Sequence, residues 1–92
     1  MAAEPYKTTP VFHEISLPAA LRNEHNTKAG VWGLLRVLEG EVKLVFRDTG
    51  QVLLVTSENP ALIPPQEVHH VELCGPMRMQ VEFYREEPAL AR

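Results

Sequence analysis

The chain has 92 residues, 45% of them hydrophobic and 23% charged, with a formal net charge of -3. That is enough for one domain around one core and too little for two. No cluster of Lys and Arg marks a phosphate-binding face, which argues against nucleic acid as a partner, and no apolar run approaches the roughly 18 residues that would cross a membrane.

The opening "MAAEPYKTTPVFHE" lacks the basic and then apolar regions of a secretory leader, so the expected location is the cytoplasm. Residues 1–9 read as an N-terminal extension, 10–85 as the domain, and 86–92 as a flexible tail with too little apolar content to pack. All eight prolines fall between apolar runs, where a sheet tolerates them. His13, close to Pro10, has no companion at ligand spacing and reads as an edge histidine. In "SLPAALRNEH", Ser16 can cap a single helical turn with Pro18 in its first turn, and Leu17, Leu21 and His25 then share one stripe. Lys28, in the loop before Gly30, reads first as a solvated lysine and second as an anion contact at the mouth of a barrel.

The run "GVWGLLRVLEG" reads as a strand with two apolar faces: Val31, Gly33, Leu35 and Val37 on one, Trp32, Leu34, Arg36 and Leu38 on the other. A small monomeric sandwich needs only one such face. The second is covered by the N-terminal "PVFHEISL" or by a second copy of the chain, and the preferred reading is a homodimer with Trp32, Leu34 and Leu38 at the interface. Arg36 then reads as a snorkelling side chain or as the partner of a carboxylate across that interface.

Further on, Val42, Leu44 and Phe46 alternate with polar residues, and "RDTGQ" reads as the turn that sends the chain back through "VLLVT", with Gly50 free to take positive φ. In "IPPQEVHHVELCG", His69, Val71 and Leu73 share the inward face, while His70 and Glu72 form a solvated pair on the other. Cys74, the single cysteine, excludes an internal disulfide, fits a reducing compartment and is expected to be a partly buried turn thiol. Met77, Met79, Val81 and Phe83 complete the last half-buried strand; Tyr84 falls on its polar face with no assigned chemistry. Several short strands between Gly and Pro signals predict an antiparallel sandwich or small barrel.

Three stretches, "HNTKAGVWGLLRVLEGEVKLV", "IPPQEVHHVE" and "VEFYR", resemble the small cupin-like domain found at the N-terminus of some TehB tellurite-resistance methyltransferases and in stand-alone YeaR-like proteins. The resemblance runs from about Pro10 to Arg85 and implies an all-β fold, a small antiparallel double-stranded β-helix of the jelly-roll type. It implies a stress-response setting such as oxyanion resistance. Methyl transfer does not carry over, because no glycine-rich loop follows a strand here.

Cupins hold a metal between two motifs. Pro64 and His69 match the second, with Gln66 where glycine is usual. His25 matches the leading histidine of the first, Thr27 stands in place of its second histidine, Gly33 falls about where its glutamate would be, and Gly40 matches its closing glycine. The resemblance thus implies His25 and His69 as ligands of a divalent metal (Zn, Ni, Fe or Mn), with Thr27, Glu24 or water as third donor, and Thr27 and Phe83 lining the cavity. Three functional readings are open: a module binding a small molecule or metal, a metal-dependent oxygenase, isomerase or reductase at the same cavity, and a non-catalytic structural or regulatory homodimer.

Overall fold

Alternation becomes strand wherever the sequence shows it. In the computed structural model, which describes residues 4–24 and 26–88, the elements are β1 (Lys7–Thr8), β2 (Phe12–His13), α1 (Ala19–Arg22), β3 (Trp32–Glu39), β4 (Val42–Phe46), β5 (Val52–Val55), β6 (Ala61–Ile63), β7 (His69–Leu73) and β8 (Arg78–Tyr84). All pairings are antiparallel. One sheet runs β1-β8-β3-β6, with β2 also on β8; the other runs β5-β4-β7.

The inward faces of the two sheets make one core. Leu35 and Val37 of β3, Ala61 and Ile63 of β6, and Met79 and Val81 of β8 meet Val42, Leu44 and Phe46 of β4 and Val71 of β7. The two-residue period places each set on one side of its pleat. Hydrogen bonding does not run on from one sheet to the other, so the all-β antiparallel class holds while no closed barrel forms among the described residues.

The turn after β4 is built as its residues require: Gly50 takes φ 72°, its N–H donates to the Phe46 carbonyl at 2.9 Å, and the Phe46 N–H donates to Gln51 at 2.9 Å. Positive φ also occurs at Gly40 and Gln66. Gly40, at φ 74°, closes the β3–β4 turn against the backbone of Pro76 and Met77. Gln66, at φ 64°, is the one described non-glycine residue in the left-handed region; it follows Pro65, the arrangement of a type II turn that ordinarily recruits glycine.

Several expectations are corrected. Ser16 does not cap α1: its Oγ accepts the His13 N–H at 2.9 Å, and Pro18 stands at the N-cap without a side-chain bond. "PVFHEISL" does not lie over the second face of β3; β1 and β2 extend the sheet beyond β8, and Leu17 is buried in the core. Cys74 is exposed. Of the expected tail, Glu86 and Glu87 are exposed, Pro88 is buried, and 89–92 lie outside the described residues. No helix among the described residues is long and apolar enough to cross a membrane.

The N-terminal arm is tied to the β7–β8 turn by Glu14, whose carboxylate accepts the Met77 N–H at 3.2 Å. Backbone N–H groups of Glu14 itself and of Met77 favour the ionised form and lower its pKa. With the folded value below the unfolded one, this carboxylate contributes stability above the ordinary value of 4.5 and loses it as pH falls through the depressed folded value. Thermal melts between about pH 3 and 6 should therefore show a shallower acid limb for Glu14→Gln, which keeps an acceptor oxygen, than for the unmodified chain. Parallel limbs would show that the contact carries no proton linkage.

Candidate functional site

His69 opens β7 and points between the sheets, only 2% exposed. A buried imidazole needs partners for its ring nitrogens. Nδ1 lies 2.8 Å from the Glu67 carbonyl, which can only accept, so Nδ1 carries a proton and donates it there. Phe46 packs against the ring at 6.2 Å between centroids, tilted by 54°.

Beside His69 lies a cavity of about 40 Å³, walled by Leu35, Ile63, Val71, Met79, Val81 and Phe83 from the strands and by Leu21 of α1, with Thr9 and Thr27 as its other polar neighbours. It is room for a water or a methyl-sized group, not for a whole metabolite. A wider depression of about 330 Å³ opens to solvent above it, lined by Tyr6, Lys7, Asn26, Lys28 and Val31. Leu21, Thr27 and Phe83 line both spaces, which makes a funnel-shaped pair, the wide depression outside and, beneath these three shared side chains, the small cavity that His69 lines.

Thr27 holds the rim together. The Gln66 N–H is shared between the Thr27 carbonyl at 3.1 Å and its Oγ1 at 3.2 Å, and Oγ1 lies 3.4 Å from the Pro64 carbonyl. The left-handed turn at Gln66 thus ties the rim to the segment that leads into His69. Gly33 pairs with both Ile63 and Phe83, and a Cβ added there would meet the Ile63 Cβ at 3.3 Å. Ile63 occupies the space that an acidic side chain at Gly33 would need.

The structure therefore brings Thr27, His69 and Phe83 to one place. His25 lies outside the described residues. No group of three His, Cys, Asp or Glu side chains comes together among the described residues. One imidazole and a neutral hydroxyl within apolar walls fall short of the three donors a firmly held Zn, Fe, Ni or Mn ion needs. The described residues do not by themselves make a metal site, and no chemistry is routed through one.

The outer face of β3 is not what its sequence suggests. Leu34 is 1% exposed within a single chain, opposite Leu62 on β6 and Glu82 on β8. Glu82 Oε1 accepts from Arg36 Nε and from the Tyr84 hydroxyl, both at 2.8 Å. The Glu82 bond raises the Arg36 pKa further, and burial followed by the same carboxylate raises Tyr84 above the ordinary phenol value. Tyr84, expected on a polar face without a role, is 4% exposed and anchors this network. Its sequence signal was the +2 spacing of Glu82 and Tyr84 on one strand face; Arg36 joins through pairing across the sheet. Trp32 is half-buried, and Leu38 stays 48% exposed at a bulge where β3 slips register against Arg78. His70 and Glu72 form the expected surface pair, Nε2 to Oε2 2.9 Å.

Two antiparallel sheets, a short helix over one end and a funnel that stops at a buried histidine define a small all-β domain with an internal cavity. The TehB-like domain family matches residues 7–81, and the chain belongs to it. It is 35% identical to the probable S-adenosyl-L-methionine-dependent methyltransferase TehB of Haemophilus influenzae, in strain 10810 and in strain ATCC 51907, over 86% of this chain and 30% of that protein. The chain thus spans less than a third of the curated relatives it matches. The crystal structure of TehB from Haemophilus influenzae superposes with a TM-score of 0.79 at 31% identity, covering 90% of this chain and 31% of the other. A crystal structure of a protein from E. coli strain K12 superposes with a TM-score of 0.81 at 25% identity, covering 95% of this chain and 93% of the other.

Proposed function

We propose that this chain is a cytoplasmic ligand-binding module of cupin type, taking a small molecule into the funnel above His69 in an oxyanion or related stress-response setting. The observation that carries this is the adjacency of the two spaces: the open depression and the inner cavity share Leu21, Thr27 and Phe83, and the inner one is lined by an imidazole oriented by the Glu67 carbonyl. Concave, largely apolar spaces with a few convergent polar groups are where small molecules bind. The double-stranded β-helix reading is supported by nested pairing: β3–β8 encloses β4–β7, the two pairs lie in opposite sheets, and the Thr56–Asn59 bridge sits at the tip of the folded ribbon. The setting rests on the family resemblance; methyl transfer is left to the rest of the longer relatives, since these 92 residues hold no glycine-rich loop after a strand.

The test pairs elemental analysis with ligand screening on protein purified without chelator or tag histidines. Binders should shift amide resonances of Thr27, His69 and Phe83 while leaving Arg47 unmoved, and the protein should carry no stoichiometric metal. Near-stoichiometric metal, lost in both His25→Ala and His69→Ala, would replace this reading with the metal-dependent enzyme. An empty screen would leave a scaffold that binds nothing.

A further inference from the structure

The rim of the funnel is basic in a chain whose net charge is -3. Among the described residues, Lys7 and Lys28 line the wide depression, no acidic side chain does, and neither lysine is in an ion pair. Arg85 adds a third cation beside it, its guanidinium 4.6 Å above the ring of Tyr6. Three arginines elsewhere are locally neutralised, Arg36 by Glu82 at 2.8 Å, Arg78 by Glu39 at 3.3 Å and Arg47 by Asp48 at 3.4 Å, while Arg22 and Lys43 are in no ion pair among the described residues. Among the described residues, the depression is where two lysines outside any ion pair line one concave space.

Its walls are mostly carbon, from Val31 and Phe83 as well as the Tyr6 ring and Leu21. A bare inorganic oxyanion would leave that carbon wet, because exposed lysines alone contribute little to holding a hydrated ion. A neutral hydrocarbon would use the walls and ignore the charge. A molecule that satisfies both has an apolar body and an anionic head, and the depression's 330 Å³ fits a single ring or a short branched chain.

Building on the binding-module reading, we infer that the ligand class is a small organic carboxylate, with a compact aromatic or branched aliphatic body against Phe83 and the head between Lys7 and Lys28. The narrow floor at His69 takes at most a methyl-sized substituent or a water.

The experiment titrates the isotope-labelled full chain with benzoate, with benzamide as its uncharged counterpart, and with sulfate. Benzoate is expected to move Thr27 and Phe83 signals and to bind about tenfold more tightly than benzamide, the scale of two partly screened ion pairs. The advantage should shrink as salt rises from about 0.05 to 0.5 M and disappear in the Lys7→Gln, Lys28→Gln double variant, whose changes are confined to exposed side chains. Equal binding of benzoate and benzamide overturns the charge selection while leaving the binding module intact. Sulfate binding as tightly as benzoate overturns the organic body. If no probe and no screened compound reaches the funnel residues, the binding module itself falls, and this inference with it.

Discussion

Replacing Gly40 by alanine should lower stability by about 3 kcal/mol or more, a fall in Tm of roughly 12–24 °C for a domain of this size. Two costs add at this residue. Its φ of 74° lies in the left-handed region, where a side chain costs ~1–2 kcal/mol. The added Cβ would also stand 2.4 Å from the Pro76 carbonyl oxygen and 3.2 Å from the Met77 Cα, and backbone atoms cannot swing aside as the end of a side chain can. Gly50 separates the two costs. Its φ is 72°, yet nothing lies within 4 Å of the position its Cβ would take, so Gly50→Ala should cost only the conformational share, about 1–2 kcal/mol. Chemical denaturation of the two variants side by side decides the matter: equal losses would mean that the Pro76 approach relaxes freely.

Leu34→Ala should behave as a core truncation, costing about 2–5 kcal/mol, whereas Leu38→Ala should stay within about 0.5 kcal/mol. Both leucines fall on the same alternate face of β3 in sequence, and both read as interface. In the structure Leu34 is 1% exposed, paired with Leu62 on one side and with Glu82 on the other, while Leu38, at the bulge, is 48% exposed. The loss in Leu34→Ala should not depend on protein concentration. If Leu34 instead packed against a second copy, dilution would lower the Tm of the unmodified chain and the truncation would remove that dependence.

These two residues also show what the sequence carries and where it stops. A two-residue period reports which side chains share a face, and for β4, β7 and β8 that sufficed: Val42, Leu44, Phe46, His69, Val71, Met79 and Val81 are all buried as the alternation implies. The period says nothing about what covers a face. Trp32, Leu34 and Leu38 therefore looked like an unpartnered surface, because the groups that shelter Leu34 come from β6 and β8 and meet it only through sheet pairing.

The candidate site was legible to the same degree. His69 could be placed inward by counting, and Thr27 and Phe83 could be set near it by resemblance. The Glu67 carbonyl that fixes the imidazole, the Gln66 turn that fastens Thr27, and Ile63 filling the space beside Gly33 could not, since each depends on backbone geometry that side-chain identity does not encode. Gln66 is instructive here. It stands where the resembling motif usually has glycine, and the chain keeps the left-handed conformation that a glycine would have supplied. Lys7 escaped notice because β1, two residues long, has no period to read; its register opposite Phe83 is what carries it to the rim.

The order in which strands pair has a kinetic consequence. Of the six strand pairings among the described residues, only β4 with β5 joins neighbours along the chain; β3 must find β6 and β8, β4 must find β7, and β1 and β2 must find β8. Each of those searches spends loop-closure entropy before any contact repays it, and β8, the last strand, is the one on which three others wait. The hairpin at Gly50 can form while the remainder is still open. The funnel, whose walls come from β3, β6, β7 and β8 together, exists only after β8 has docked, so a chain stalled short of that step has a folded hairpin and no site at all.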